Sequence, residues 1–191
     1  MEYYRAMEVP MKKTLSLIPL LFALLLSGCG NAALQRYESF SSRLQEQDTL
    51  CFTASLTASY PDRTAQFDLR YTLEDGKQRV TILSPECISG ISATVALGKT
   101  ALEYDGLILD TGDLNDYGLS PMSALPLLVE ALRHGHADAF WTEEGRDAVE
   151  ILFDDHARAQ VWFSEEGLPC RAELISDDVV VVSCEIKNWT T

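Results

Sequence analysis

The sequence predicts an α+β fold: a strongly curved antiparallel sheet, or unclosed β-barrel, of about eleven strands with an N-terminal helix and a helical lid. Three patterns lead there. Apolar residues alternate with period two through most of the chain, as in strands with one buried and one wet face. Turn dipeptides such as Asp75-Gly76 and Asp105-Gly106 separate these runs at hairpin spacing. Two stretches instead carry apolar residues at helical spacing.

The first helical stretch places Leu34, Tyr37, Phe40 and Leu44 on one stripe, with Gln, Arg, Glu and Ser on the other face. The period then changes. Leu50, Phe52, Ala54, Leu56, Ala58 and Tyr60 share one face of a long strand, and Cys51, Thr53, Ser55, Thr57 and Ser59 the other. Phe67, Leu69, Tyr71 and Leu73 form the next apolar face; pairing about Asp75-Gly76 sets Tyr71 against Val80 and Leu69 against Ile82. Further strands are expected over Ile91 to Leu97, Thr100 to Tyr104, Leu107 to Asp110, Asp138 to Thr142, Asp147 to Phe153 and Ala157 to Phe163. Gly98-Lys99, Asp105-Gly106 and Asp154-Asp155-His156 are the turns between neighbours.

A final hairpin centred on Asp177 sets Leu174 opposite Val180, Ala172 opposite Val182 and Cys170 opposite Cys184. The second helical stretch runs from Ser120 and Pro121, its N-cap and first residue, to Arg133, ending near Gly135. Pro126 is expected to split it into a short turn and a second helix. Met122, Leu125, Val129 and Leu132 form its apolar stripe, which can cover the concave face of a curved sheet.

Ahead of these elements, Lys12 and Lys13 precede an apolar run from Leu15 to Leu26, followed by Ser27, Gly28 and Cys29. A basic segment, an apolar core and small residues make a signal peptide. The apolar run is about a dozen residues, whereas a helix needs roughly 20 to cross a hydrocarbon core. Leu26-Ser27-Gly28-Cys29 resembles the lipobox of bacterial lipoproteins, which implies cleavage before Cys29 and diacylglycerol on its sulfur. Residues 1–28 are therefore expected to be removed, and 29–191 to form one domain. Glu2 and Glu8 are unusual before a basic segment, and Met11 reads as the natural start. The expected location is the outer face of a membrane, held by lipid. Gly30 is not the aspartate that commonly signals inner-membrane retention in two-membraned bacteria, which leaves open the outer membrane there or the single membrane of a one-membraned host.

The chain has 15 basic and 29 acidic residues and a net charge of −14. Residues 1–28 hold three basic and two acidic residues, so the remainder carries −15. Such a charge repels phosphate backbones, and no Lys/Arg stripe interleaved with aromatics offsets it, which excludes nucleic acid as a partner. The acidic residues are spread in ones, twos and threes beside turns and read as a solvated surface.

The order of elements resembles the LolA/LolB-like lipoprotein-carrier superfamily. The residues that carry the resemblance are Pro85-Glu86-Cys87-Ile88-Ser89-Gly90-Ile91, then Leu102-Glu103-Tyr104-Asp105-Gly106, Gly167-Leu168-Pro169 and the closing Ile186-Lys187-Asn188-Trp189. It implies an unclosed eleven-strand barrel lidded by helices, whose concave face holds acyl chains or docks a partner. Some Gram-positive members are anchored lipoproteins of spore-cortex modification and germination. A tether at Cys29 departs from the soluble carriers and favours a receiver or a docked partner over a shuttle.

The inward-facing Phe52, Leu56, Leu69, Tyr71, Leu102, Tyr104, Met122, Leu125, Val129 and Leu132 are the candidate ligand-cavity residues. They line a lipid-sized cavity if the barrel is unfilled, and a packed core if it is filled. A membrane-anchored protein binding an acyl chain or a hydrophobic partner segment is the first expectation. The alternative is a filled interaction module for an envelope or sporulation protein. Cys170 and Cys184 are a candidate cross-strand disulfide, against two reduced core thiols. Cys51 and Cys87 have no evident partner. His134-Gly135-His136 with Asp138, and Asp154-Asp155-His156, both sit in turns and are solvated loops before they are metal or acid-base sites. No Gly-x-Ser-x-Gly elbow, phosphate loop or dinucleotide fingerprint is present, so no enzyme, catalytic residue, metal or cofactor is expected beyond the lipid on Cys29.

Overall fold

The computed structural model describes residues 32–96, 99–112, 120–152 and 157–190; the signal segment, Cys29 and the Asp154-Asp155-His156 turn lie outside the described residues. Helix α1 covers Ala32–Gln45 and helix α2 Pro121–His134. The strands are β1 Thr49–Ser59, β2 Thr64–Glu74, β3 Lys77–Ser84, β4 Ser92–Ala96, β5 Lys99–Tyr104 and β6 Leu107–Gly112, then β7 His136–Glu143, β8 Arg146–Leu152, β9 Ala157–Phe163, β10 Pro169–Ser176 and β11 Val179–Thr190. A single 3-10 turn, Glu86–Ile88, forms the corner between β3 and β4.

All eleven strands join one antiparallel sheet in the order β6-β5-β4-β3-β2-β1-β11-β10-β9-β8-β7. The first and last strands meet at its middle, Ala54 opposite Ile186 and Leu56 opposite Cys184. The expected α+β open sheet with its two helices is what the chain forms. Its curvature follows from α2, which touches β3 and β8. Those strands stand six places apart in the order. A flat sheet would separate them by roughly 29 Å at about 4.8 Å per strand, nearly three times the diameter of a helix. The two wings must therefore curl around the helices.

Two-residue turns with both residues at positive φ close four hairpins: Asp75-Gly76, Asp105-Gly106, Glu144-Gly145 and Asp177-Asp178. Such turns match the right-handed twist of the flanking strands, and Asp is one of the few side chains that tolerates the left-handed region. About the first turn, Tyr71 faces Val80 and Leu69 faces Ile82, as the alternation requires.

The last hairpin corrects the sequence reading. Its turn has two central residues, Asp177 and Asp178, rather than a centre at Asp177, and a bulge follows between Leu174 and Ile175. Each adds one residue to the register. Leu174 therefore faces Val182, and Ala172 faces Cys184. The two shifts sum to an even number, so every side chain keeps its face while its partner changes. Cys170 is not opposite Cys184, and both are free thiols.

Helix α2 is also a correction. It runs unbroken through Pro126. A proline this near the N-terminus removes one hydrogen bond, from position 126 to the carbonyl of Met122, and leaves the following turns intact. Two features compensate. Ser120 and Ser123 form a reciprocal cap, the Ser120 N–H donating to the Ser123 hydroxyl at 3.0 Å and the Ser123 N–H to the Ser120 hydroxyl at 3.2 Å. Pro126 itself is buried, as are Leu125 and Val129 of the same helix.

Candidate functional site

Helix α1 lies in the concavity with Tyr37, Phe40 and Leu44 buried. Phe40 meets Phe163 at 6.0 Å and Trp189 at 5.6 Å, both edge-on. Trp189 lies 4.4 Å from Phe52, which stacks on Tyr71 at 4.8 Å. This aromatic chain links helix α1 to the centre of the sheet. Trp189 has a polar end, and its indole N–H donates to the carbonyl of Pro169 at 2.7 Å.

The candidate cavity residues separate into two groups. Phe52, Leu56, Leu69, Tyr71, Leu125, Val129 and Leu132 are each at most 1% exposed and belong to one contiguous cluster. Surface beside a water-sized void would register as exposure, so the concave face is packed against the helices around these seven. Leu102 is half-buried and Met122 packs on the margin of the cluster, while Tyr104 is exposed.

Polar straps hold this closed arrangement. The Tyr71 hydroxyl donates to Gln78 Oε1 at 3.1 Å, and Gln78 Nε2 donates to Glu130 on α2 at 2.8 Å. Burial pushes the Tyr71 hydroxyl well above its ordinary pKa, against the lowering influence of the nearby Arg133 charge. Tyr37 donates to the carbonyl of Gly135 at 3.1 Å, and Arg133 Nη2 to that of Gln47 at 2.8 Å. At the start of α1, Arg36 donates to the carbonyls of Ser164 and Glu165 at 2.8 and 3.2 Å and pairs with Asp147 at 2.7 Å.

The exposed apolar surface is concentrated elsewhere. In an antiparallel meander, alternate connections lie at the same end of the sheet. The β1–β2, β3–β4, β5–β6 and β10–β11 connections therefore share one end, which we call the distal end. Tyr60, Leu83, Tyr104, Leu107, Ile108, Val179 and Val180 all lie beside those connections, and all are exposed, Leu107 by 77% and Ile108 by 73%. Among the described residues, Leu127 on α2 is the one other large apolar side chain that is exposed. Apolar groups scattered singly carry no message, but seven along one rim do. Of these, Tyr104 alone is among the candidate site residues that the sequence offers. The available signal was an apolar residue directly flanking a turn, as in Leu107-Ile108 after Asp105-Gly106 and Val179-Val180 after Asp177-Asp178.

The convex face is polar. A cleft of about 650 Å³ there is lined by Ser55, Asp68, Glu144, Arg146, Arg171, Glu173 and others. Part of its polar lining is paired, and the Ser55 hydroxyl donates to Asp68 at 2.8 Å. Arg171 bonds Glu173, which raises the guanidinium pKa further, and stacks over Trp162 at 4.5 Å. Trp162 in turn donates to Glu143 at 2.8 Å and meets Trp141 edge-on at 5.9 Å.

His134 lies 4.0 Å from Glu130 on the exposed side of α2, and His136 is exposed at the start of β7. Among the described residues, no group of three or more His, Cys, Asp or Glu side chains is arranged to hold a metal. Cys170 donates weakly to the carbonyl of Trp162 at 3.3 Å. Cys184 is buried, and burial pushes its thiol up to about 12. Among the described residues, no helix is long and apolar enough to cross a membrane.

No family model matches the sequence, and no curated protein matches it. Its structural neighbours are LolA-superfamily, lipoprotein-sorting and lipoprotein folds at low sequence identity, the group that the residues themselves resemble. The chain is similar to a LolA superfamily protein from Nitrosomonas europaea, at 13% identity and a TM-score of 0.44, covering 83% of this chain and 92% of that one. It is similar to a chain in the complex of the CwlD amidase from Clostridioides difficile with the GerS lipoprotein, at 10% identity and a TM-score of 0.44, covering 82% and 94%. It is also similar to the Mycobacterium tuberculosis lipoprotein LppX, at 13% identity and a TM-score of 0.37, covering 83% and 93%. These likenesses concern the course of the chain and nothing finer.

Proposed function

We propose that this chain is a non-catalytic lipoprotein of the cell envelope, anchored through diacylglycerol on Cys29, that receives a hydrophobic segment of a partner on its apolar rim. One observation carries the reading. The concave face is filled, with seven of its ten candidate cavity residues at most 1% exposed, whereas at the distal rim Tyr104, Leu107, Ile108 and Val179 are more than half exposed and Tyr60, Leu83 and Val180 more than a third. Apolar burial is the available driving force, at about 25 cal/mol per Å². It can be gained at the rim without disturbing the core. An acyl chain bound inside would first have to displace α2 and its Gln78–Glu130 and Tyr37–Gly135 straps.

The test is a direct contest between rim and interior. The purified protein is examined for co-purified lipid by mass spectrometry and for displacement of a fluorescent fatty-acid probe. A non-covalently bound lipid below a tenth of the protein and no displacement are expected. Stoichiometric lipid, or a fatty acid that competes with the probe, would restore the interior cavity as the binding site. In the same cells the Cys29→Ala protein should leave the membrane fraction; retention there would remove the anchor from the proposal.

A further inference from the structure

The two ends of the sheet differ in what they face. Helix α1 begins at Ala32, three residues after Cys29. Three residues span at most about 10 Å. The first turn of α1 is fastened by Arg36 to Ser164 and Glu165 in the β9–β10 connection and to Asp147 just past the β7–β8 turn. Both connections lie at the end of the sheet opposite the apolar rim. A lipid on Cys29 therefore brings the Ser164–Gly167 end to the membrane. The rim lies the length of the central strands away: β11 covers 12 residues, roughly 40 Å of extended chain. The rim is thus turned from the bilayer that holds the protein, and lipid is not its occupant.

Charge narrows the occupant further. Among the described residues, the connections at the rim carry Asp62, Glu86, Asp105, Asp177 and Asp178 against a single base, Arg63, and all six are exposed; Asp105 lies in the turn that leads into β6 itself. Arg63 stacks over Tyr60 at 5.4 Å, and Asp178 is paired with Arg158 at 2.8 Å. An apolar strip edged by carboxylates fits a segment that is apolar at its centre and basic at its flanks. A second copy of this chain fits poorly, since it brings the same acidic fringe and, without residues 1–28, a net charge of −15. The rim ends on β6, which among the described residues is paired by β5 on one side only. Leu107 and Ile108 point to opposite faces of that open edge, both exposed. An extended segment can add there as a further strand, with main-chain hydrogen bonds supplying affinity and the two side chains supplying apolar contact.

We infer that the distal rim, centred on the open edge of β6, docks an extended apolar segment with basic flanks from another envelope protein, on the side of the domain that faces away from the anchoring membrane. This rests on the Cys29 anchor and the rim reading proposed above.

The experiment uses the full lipidated chain on vesicles of phosphatidylethanolamine and phosphatidylglycerol. The probes are two fluorescent peptides with the same alternating valine and threonine centre, one flanked by lysines and the other by glutamates, read by anisotropy. The lysine-flanked peptide is expected to bind about tenfold tighter and to weaken as ionic strength rises. Leu107→Ser/Ile108→Ser should abolish binding of both, and Asp105→Asn, in the turn that leads into β6, should narrow the preference. Those substitutions fall on exposed side chains, and an unchanged thermal transition verifies that each variant is folded. The inference is overturned by equal binding of the two peptides, by normal binding to the Leu107→Ser/Ile108→Ser protein, or by binding that disappears when the protein is on vesicles. It is overturned equally if that double substitution abolishes a dimer, which would make a second copy the occupant. A fatty-acid probe that binds while the lysine-flanked peptide still discriminates would defeat the filled-core reading and leave the rim site standing.

Discussion

The two wings of the sheet are built on unequal terms. The wing from β11 to β7 is closed over α1, with Val149, Ile151, Ala159 and Val161 fully buried and Phe163 against Phe40. The wing from β4 to β6 has strands of five or six residues, and its outermost hairpin exposes Tyr104, Leu107 and Ile108. Both wings alternate in sequence, yet a helix covers one margin and water meets the other. Alternation specifies that a strand has an apolar side; what that side meets depends on where the helices run. Stability is therefore concentrated in the covered wing and the centre, and capacity for binding in the uncovered margin.

The largest contrast should come from truncating one residue of each kind. Phe52→Ala removes a fully buried ring lying between Tyr71 and Trp189, and is expected to cost about 3–5 kcal/mol. That is a fall of roughly 6–20 °C in a domain of this size, at about 2–4 °C per kcal/mol. Leu107→Ala at the open margin should change stability by no more than about 0.5 kcal/mol. Thermal denaturation of both proteins checks the pair, and similar losses would show that the margin is covered.

A smaller effect is expected at the fastening of α1. Arg36→Ala removes one ion pair and two carbonyl contacts at a side chain that is 38% exposed. Solvent screening limits the loss to about 1 kcal/mol. Hydrogen exchange should quicken in the first turn of α1 and the Ser164–Gly167 connection while protection in β4 to β6 is unchanged. Spread of the effect to the far wing would mean that the two margins unfold together.

The last effect is silent near neutrality and appears only in alkali. Burial raises Cys184 from 9.0 to about 12 and lifts Tyr71 and Tyr37 above 10.0. Groups whose folded pKa is raised contribute stability in full below the unfolded pKa; it is lost as pH climbs towards the folded value, because the unfolded chain releases its protons first. The melting temperature should be insensitive to these groups below pH 9 and fall between pH 9 and 12. Cys184→Ala should make that fall shallower, and an unaltered slope would place the thiol in contact with solvent.

Strand number, antiparallel order and the faces of Phe52, Leu69 and Tyr71 were legible because period-two alternation is a local property of each strand. The register at Cys170 and Cys184 was not, because a bulge at Leu174 adds a residue that leaves no mark in the alternation once the two-residue turn has added another. The continuity of α2 through Pro126 depended on a tertiary fact, the burial of that ring. The candidate cavity residues were readable as inward-facing, but whether helices fill the space they face depends on the curl of the whole sheet. The rim escaped for a related reason. Tyr60, Ile108 and Val179 lie far apart in sequence and become neighbours in kind when strand ends are aligned.

The pairing of β1 with β11 at the middle of the sheet has a temporal consequence. Ala54 finds its partner at Ile186, more than 130 positions later, and Phe52 meets its neighbour at Trp189. No fragment that stops short of β11 can close this core, because the strand that completes the centre leaves the ribosome after the other ten. Pairings at such separation are slow to form, since most of the chain must be gathered before they contribute. A lipoprotein of the kind proposed above must remain unfolded until it has crossed its membrane, and a sheet whose centre is completed by β11 delays its own closure in that way.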